Sequence, residues 1–400
     1  VQQSHPNGNA WDYDYDGIGN RVRVEDPDLG VWTYAYDTAG RLTRQTDAKG
    51  QTSDLAYDIM SRVLTKTVAG PGLATEVTSN IYDAAMAGYF NAGRLTSAAK
   101  GGNIIEYDYD EQGRVERQRF DAIAGADDRA IVSTYAPHGE LLSRAWPSGT
   151  GAATAATYTA TYGYDAAGRL LSVRNGATNL VASLAYNARG QTLSALHGNG
   201  VSQSFAYDSD GRGLLMSTTV AKGATTHLAQ SYMRDAAGRI TAIDSDKADG
   251  SEDWTYAYDA YGRLASALHP QGGAGQRVYR YDLADNLLYN SGLGCGSADN
   301  LAYTAVKPAH GPKSICGNPV SYDANGNTLS YTRNATARSF AYDAENRPLT
   351  IATNGLVTTM AYGPDGERLS KPRFWISACA NVRAFGGSGL VAPEGVRARG

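Results

Sequence analysis

Tyr36-Asp37-Thr38-Ala39-Gly40-Arg41-Leu42, YDTAGRL, decides how the rest of this 400-residue chain is read. Asp37 opens a type I turn by accepting a hydrogen bond from the backbone two residues on. Gly40, fourth in the turn, takes the left-handed conformation that returns the chain as a bulged hairpin. Upstream, Trp32, Tyr34 and Tyr36 alternate with Thr33 and Ala35, which is the period of a strand with one aromatic face. Downstream, Arg41 to Thr46 read as a second strand, and Asp47-Ala48-Lys49-Gly50 repeat the Asp-x-x-Gly turn before Gln51 to Tyr57 lead to the next Asp58. One unit is therefore two strands and two turns.

The unit recurs. Tyr109-Asp110 with Gly113-Arg114, Tyr164-Asp165 with Gly168-Arg169, and Tyr258-Asp259 with Gly262-Arg263 are close copies. Looser copies start at Tyr15, Tyr57, Tyr135, Tyr186, Tyr207, Arg234, Tyr281, Tyr322, Tyr342 and Tyr362, and a copy split by an insertion runs from Tyr82 to Leu95. Trp254, Tyr256 and Tyr258 repeat the aromatic alternation. The array extends to about Lys371, and no helix-length window within it keeps a 3.6-residue apolar period free of glycine. Some fifteen units imply on the order of thirty strands, a meander roughly 140 Å wide at ~4.8 Å per strand. Open twisted sheets rarely exceed ~10 strands without curling or splitting, so this one must wind on itself; a single ring of that girth would be about 45 Å across. The expected fold is all-β: tandem YD β-hairpin repeats forming a continuous coiled β-sheet, a spiral or a partial hollow shell.

Composition agrees. There are 27 Tyr against 6 Phe and 5 Met, and 46 Gly. Tyr suits surfaces half buried and half wet, and abundant glycine suits frequent reversals. A net charge of -4 is too small to imply a polyanionic or polycationic partner, and no nucleic acid is expected. No apolar run approaches the ~20 residues of a membrane-spanning helix. The chain opens at Val1 without a leader and reads as a piece of a longer polypeptide. Cys295, Cys316 and Cys379 form no CxxC pair; Cys295 and Cys316 flank one irregular insertion and could be joined in an oxidising compartment or stay as separate thiols.

The strings YDTAGRL, YDAAGRL and YDAYGRL resemble the YD repeats of bacterial Rhs proteins, of the C components of insecticidal toxin complexes and of animal teneurins, over about nine tenths of the chain. Gly311-Pro312-Lys313, YDANGN at Tyr322 to Asn327, YDAENR at Tyr342 to Arg347 and YGPDGERLSK at Tyr362 to Lys371 resemble the order toward the end of such shells. The resemblance implies a secreted or surface-exposed hollow β-shell whose partner, in intact bacterial relatives, is a C-terminal effector or toxin domain, with secretion-apparatus proteins or surface glycans as further partners. The family's self-cleaving end is not recognisable. Residues 372–400 instead have no Tyr, no Asp, one Glu and four Arg, which resembles a truncated or frameshifted end. The expected organisation is a shell segment over residues 1–371 and a divergent, poorly packed tail over 372–400.

Candidate chemistry is sparse. Asp12, Asp14, Asp16 and Gly17 match the opening of an EF-hand loop, but Arg23 stands at the twelfth position where a bidentate Glu is needed, so a solvated turn is the preferred reading. The Asp and Arg of the repeats recur too often to be one catalytic constellation; turn capping by Asp and cross-strand pairing by Arg account for them. His5, His138, His197, His227, His269 and His310 have no metal-ligand spacing, no GxSxG occurs, and Gly272, Gly273 and Gly275 read as a linker. Tyr and Trp could stack on sugars, although packing between layers of the winding sheet is the preferred use. The expected role is structural, with no catalytic residue, no metal and no cofactor. An adhesion or glycan-binding module and a self-cleaving shell are the alternatives.

Overall fold

The computed structural model describes residues 2–4, 10–121, 129–146, 158–247, 252–270, 275–296, 299–303 and 308–370. The tail over 372–400 therefore lies outside the described residues, as do His5, Gly272, Gly273 and Cys379. Among the described residues there is no α-helix, and Ser291–Leu293 form a 3-10 turn.

The array is an antiparallel meander in which each strand pairs with its sequence neighbours. Twenty-five strands from Gln2–Ser4 to Leu287–Asn290 form one sheet, seven more from Leu301–Ala302 to Leu356–Thr359 form a second, and Ala361–Tyr362 pairs with Arg368–Ser370. The sheet is open: its first strand, Gln2–Ser4, pairs with Ala10–Tyr15 alone. The break after Asn290 has a local cause. Asn300, 2% exposed, substitutes for the ladder by accepting from the Asn290 N–H at 3.0 Å and donating to the Asn290 carbonyl at 2.7 Å. Cys295 and Cys316 are joined by a disulfide across this insertion.

Each YD turn has the geometry its residues dictate. In the first full unit the Asp37 N–H donates to the Arg41 carbonyl and the Gly40 N–H to the Asp37 carbonyl. The register then slips between Ala35 and Tyr36, leaving Thr43 as one bulged residue within the strand Leu42–Thr46. Gly40, Gly113, Gly168 and Gly262 sit at φ 76°, 84°, 75° and 82°, where a side chain is disfavoured.

Among the described residues there is almost no sealed core. Buried apolar residues are mostly alanines, and Ile105 is the one large side chain that is fully enclosed among them. Along Gly30–Tyr36 and Trp254–Tyr258 the aromatic face is half buried while the Thr/Ala face is exposed, so one sheet layer meets solvent on the latter side. Stability must then come from contacts between neighbouring units and not from a central core.

Candidate functional site

Two constellations carry the architecture: a ladder that locks unit to unit along the YD rim, and a seam where the chain returns over its own start.

In the ladder, Asp37 uses one carboxylate oxygen for the N–H groups of Ala39 and Arg41, both at 2.9 Å, and the other for Arg41 Nε at 2.7 Å. The other three close copies repeat the core of this: Arg114, Arg169 and Arg263 each donate N–H and Nε to Asp110, Asp165 and Asp259. These donors hold the Asp37 and Asp165 carboxyls below the usual range; at Asp110 and Asp259 desolvation pushes the other way and is outweighed. The same arginines reach forward rather than across a strand pair. Arg41 Nη1 donates to the Asp58 carbonyl, Arg114 to Ala136, Arg169 to Asn187 and Arg263 to Asp282. Each guanidinium also covers the next unit's ring, with Arg41 over Tyr57 at 4.9 Å, Arg114 over Tyr135 at 4.7 Å, Arg169 over Tyr186 at 5.0 Å and Arg263 over Tyr281 at 4.7 Å. The expected cross-strand pairing is thus replaced by a link between units, and these rings lie against the preceding unit's arginine and not between windings.

The tyrosine hydroxyl closes the ladder. Tyr57 donates to the Leu42 carbonyl at 2.6 Å, Tyr109 to Leu95 at 2.7 Å, Tyr186 to Leu170 at 2.7 Å and Tyr258 to Ile240 at 2.7 Å. The strands of adjacent units splay at this rim: the last ladder pair between Leu42–Thr46 and Thr52–Tyr57 is Arg44 with Asp54, so the Leu42 carbonyl lies beyond it. The hydroxyl supplies the donor the ladder has lost. Where Arg234 replaces Tyr, its guanidinium bonds the Leu215 carbonyl instead. Tyr57→Phe is expected to cost about 0.5–1.5 kcal/mol in local stability, read as faster hydrogen exchange confined to residues 41–69, because the ring and its arginine remain while one carbonyl loses its partner.

The seam joins residues 245 to 299 positions apart. Its first contact is at the Pro27–Gly30 turn, where the Ala309 N–H meets the Pro27 carbonyl at 3.2 Å and His310 bonds both oxygens of Asp28, by its N–H at 2.7 Å and its Nδ1 at 2.6 Å. Next, the Asp47–Gln51 turn receives the YDANGN turn. Asn325 donates to Asp47 at 2.5 Å, Lys49 pairs with Asp323 at 3.0 Å, and Gln51 donates to the Ala344 carbonyl at 3.1 Å. Finally Glu345 of YDAENR inserts between Lys66 and Lys100, with Lys100 also held by Glu76 at 2.7 Å. YD turns of the later units thus sit on the opposite turn rim of the early units. About two dozen strands separate the partners, a circuit of ~115 Å and, if circular, roughly 37 Å across at ~4.8 Å per strand. The full array does not make one ring; it overlaps its own beginning.

Glu76, Asp343 and Glu345 bring carboxylate oxygens within 4.8 Å of one another, but the cation among them is Lys100, 6% exposed, with Arg347 beside Asp343 and Glu345 at 2.7 and 2.5 Å. The protein's own charges complete the cluster. Asp12 and Asp14 lie on the strand Ala10–Tyr15 with Arg23 at 3.9 and 3.5 Å, while Asp16 caps its turn through the N–H groups of Ile18 and Asn20, so the EF-hand-like string is no ion loop. Sequence reasoning missed every seam residue. The available signal was that YDANGN and YDAENR put Asn325 and Glu345 where the close copies carry Ala39, Gln112, Ala167 and Tyr261.

Burial pushes the Glu345 carboxyl up, but hydrogen bonds from Lys100 and Lys66 outweigh it and hold it at about 2. A depressed carboxyl contributes fully above its ordinary value of 4.5, and the contribution is lost as pH falls from there toward 2. Allowing for residual solvent contact, the seam should lose about 1–2 kcal/mol between pH 5 and pH 3. Comparing melting at these pH values for the chain and for Glu345→Gln checks this: the substitution should flatten the dependence.

The family model described as RHS Repeat matches residues 16–52, 36–71 and 234–274. These segments carry RHS repeats. A search of curated proteins finds no match to this RHS-repeat chain. Its fold matches solved structures along nearly its whole length: a TcdB2-TccC3-Cdc42 crystal structure with TM-score 0.66 at 17% identity over 93% of this chain and 23% of that one, and a Photorhabdus luminescens Tc holotoxin pore with TM-score 0.65 at 17% identity over 92% and 22%. TcdB2-TccC3 without its hypervariable C-terminal region matches with TM-score 0.64 at 16% identity over 92% and 24%. At such identity the likeness is one of fold, and the RHS-repeat chain spans less than a quarter of those chains.

Proposed function

We propose that this RHS-repeat chain is a non-enzymatic wall segment of an exported shell, residues 1–371 forming the wall, and that the longer polypeptide encloses a C-terminal effector within it. The observation that carries this reading is the seam. A sheet one layer thick that returns over its own first units after about two dozen strands makes a curved wall around a space, and its stabilising contacts lie along rims and not in a core. The likeness in fold to chains solved in a Tc holotoxin supports an extracellular setting. The repeated Asp, Arg and Tyr groups described above are engaged in turn and ladder contacts, which favours structure over turnover.

Small-angle scattering of the purified chain tests the proposal. The expected pair-distance distribution is that of a hollow body roughly 37 Å across between wall centres. A profile of a solid globule of the same mass would overturn it.

A further inference from the structure

We propose that the Cys295–Cys316 disulfide is a redox latch on the seam. The bond spans 21 positions and joins the end of the first sheet, just past the 3-10 turn Ser291–Leu293, to the hairpin turn between Ser314–Ile315 and Asn318–Tyr322. Inside the loop it closes lie Ala309 and His310, the residues that make the seam's first contact with Pro27 and Asp28. The other ties at the base of this loop are non-covalent: the Lys313 N–H donates to the Ala302 carbonyl at 2.6 Å and the Tyr322 hydroxyl to the Pro312 carbonyl at 2.8 Å. Leu301–Ala302 and Ser314–Ile315 pair over two residues each, and the Cys316 N–H reaches the Asn300 carbonyl at 2.8 Å. Cys316 itself sits at φ 54°, a left-handed conformation that a residue with a side chain adopts at a cost and that the cross-link helps to fix.

The position matters because this insertion is also where the sheet is broken. Upstream, each strand from Ala10–Tyr15 to Arg277–Tyr281 is held by two neighbours, and side chains of the ladder link successive units. Between Asn290 and Leu301 no strand pairing is made by the described residues, so the later units are tied to the earlier ones by side-chain bonds of Asn300, Arg280–Asp299 and Arg333, by the disulfide and by the seam itself. Cutting the covalent tie enlarges the conformational freedom of the 308–313 segment, and its contacts with Asp28 must then be formed at greater entropic cost.

The chemical step is thiol–disulfide exchange with a dithiol reductant. One reductant thiolate attacks a cysteine sulfur and breaks the S–S bond to give a mixed disulfide. The second then displaces the protein, so the reductant leaves oxidised and Cys295 and Cys316 leave as thiols with two electrons and two protons gained. The wall would be fastened in an oxidising medium and loosened where dithiols are abundant, whatever it encloses.

Hydrogen exchange of the folded chain, with Cys379→Ser as background, before and after dithiothreitol, tests this. Reduction should speed exchange at Ala309 and His310 at least tenfold and lower the zero-length carbodiimide cross-link between Lys49 and Asp323 severalfold, while strands over 158–247 keep their rates. Cys295→Ser with Cys316→Ser should reproduce the reduced state without reductant. Unchanged exchange at Ala309 and His310 after confirmed reduction would overturn the proposal. So would an equal acceleration along the whole array, which would mark the bond as a general staple.

Discussion

Glu345→Ala is expected to release the later units from the early ones while the first sheet stays folded. The substitution leaves Lys66 and Lys100 facing each other beside Glu76, and Lys100 is 6% exposed. Removing one partner from a largely buried charge pair typically costs 3–5 kcal/mol, and the partial exposure of Lys66 and Glu76 brings the expectation here to about 2–3 kcal/mol. Limited proteolysis should show early cleavage in residues 308–370 with 10–121 and 158–247 resistant. The conservative Glu345→Gln keeps a hydrogen-bond acceptor and should lie between the two. Equal proteolysis of Glu345→Ala and the native chain would mean that the charge cluster is a surface ornament.

Gly326→Val should act at the same place by a different cause. Gly326 sits at φ 78°, and a Cβ there would come within 2.7 Å of the Asp28 carbonyl oxygen across the seam. That atom is backbone and cannot swing aside. Gly40 has nearly the same conformation, φ 76°, but nothing lies within 4 Å of its would-be Cβ. Gly40→Val should therefore cost the conformational term alone, about 1–2 kcal/mol, spread over one hairpin. Gly326→Val should exceed it by at least ~2 kcal/mol and should open the seam, since overpacking against a fixed backbone adds to the same conformational cost. Thermal melting combined with hydrogen exchange at residues 26–30 separates the two, because that turn should be affected by the substitution at 326 and untouched by the one at 40.

The hairpins were legible in the sequence because each depends on residues within reach of one another. Asp37 and Gly40 close a turn whose partners are at most four positions away, and Trp32, Tyr34 and Tyr36 declare a strand by period alone. The ladder was half legible. The tyrosines and arginines were plain, but their pairing runs from Arg41 to the ring of Tyr57 and from the Tyr57 hydroxyl back to Leu42, and nothing in the spacing says that splayed strands leave that carbonyl for a side chain to satisfy. The seam was not legible, since its partners are brought together by curvature accumulated over the whole sheet. Asp47 looks like any turn aspartate, and only the path of some two dozen strands decides that Asn325 arrives beside it. The same distance explains why the sequence left a spiral and a partial shell both open: strand count fixes the width of the meander, whereas the per-strand bend that sets the circuit is a property of packing.

An array built this way has nearest-neighbour cohesion along the ladder and one non-local closure at the seam. Damage to a single hairpin should stay local, and damage at the seam should change shape. Zero-length carbodiimide cross-linking of the native chain, read by mass spectrometry, tests that claim most directly, since it joins carboxylates to amines already in contact and needs no substitution. The account predicts links from Lys49 to Asp323 and from Lys66 to Glu345 within one chain, with yields unchanged on dilution. Recovery of the local Lys100–Glu76 link without either long-range link, or long-range links that vanish on dilution, would contradict a sheet that winds back over its own beginning.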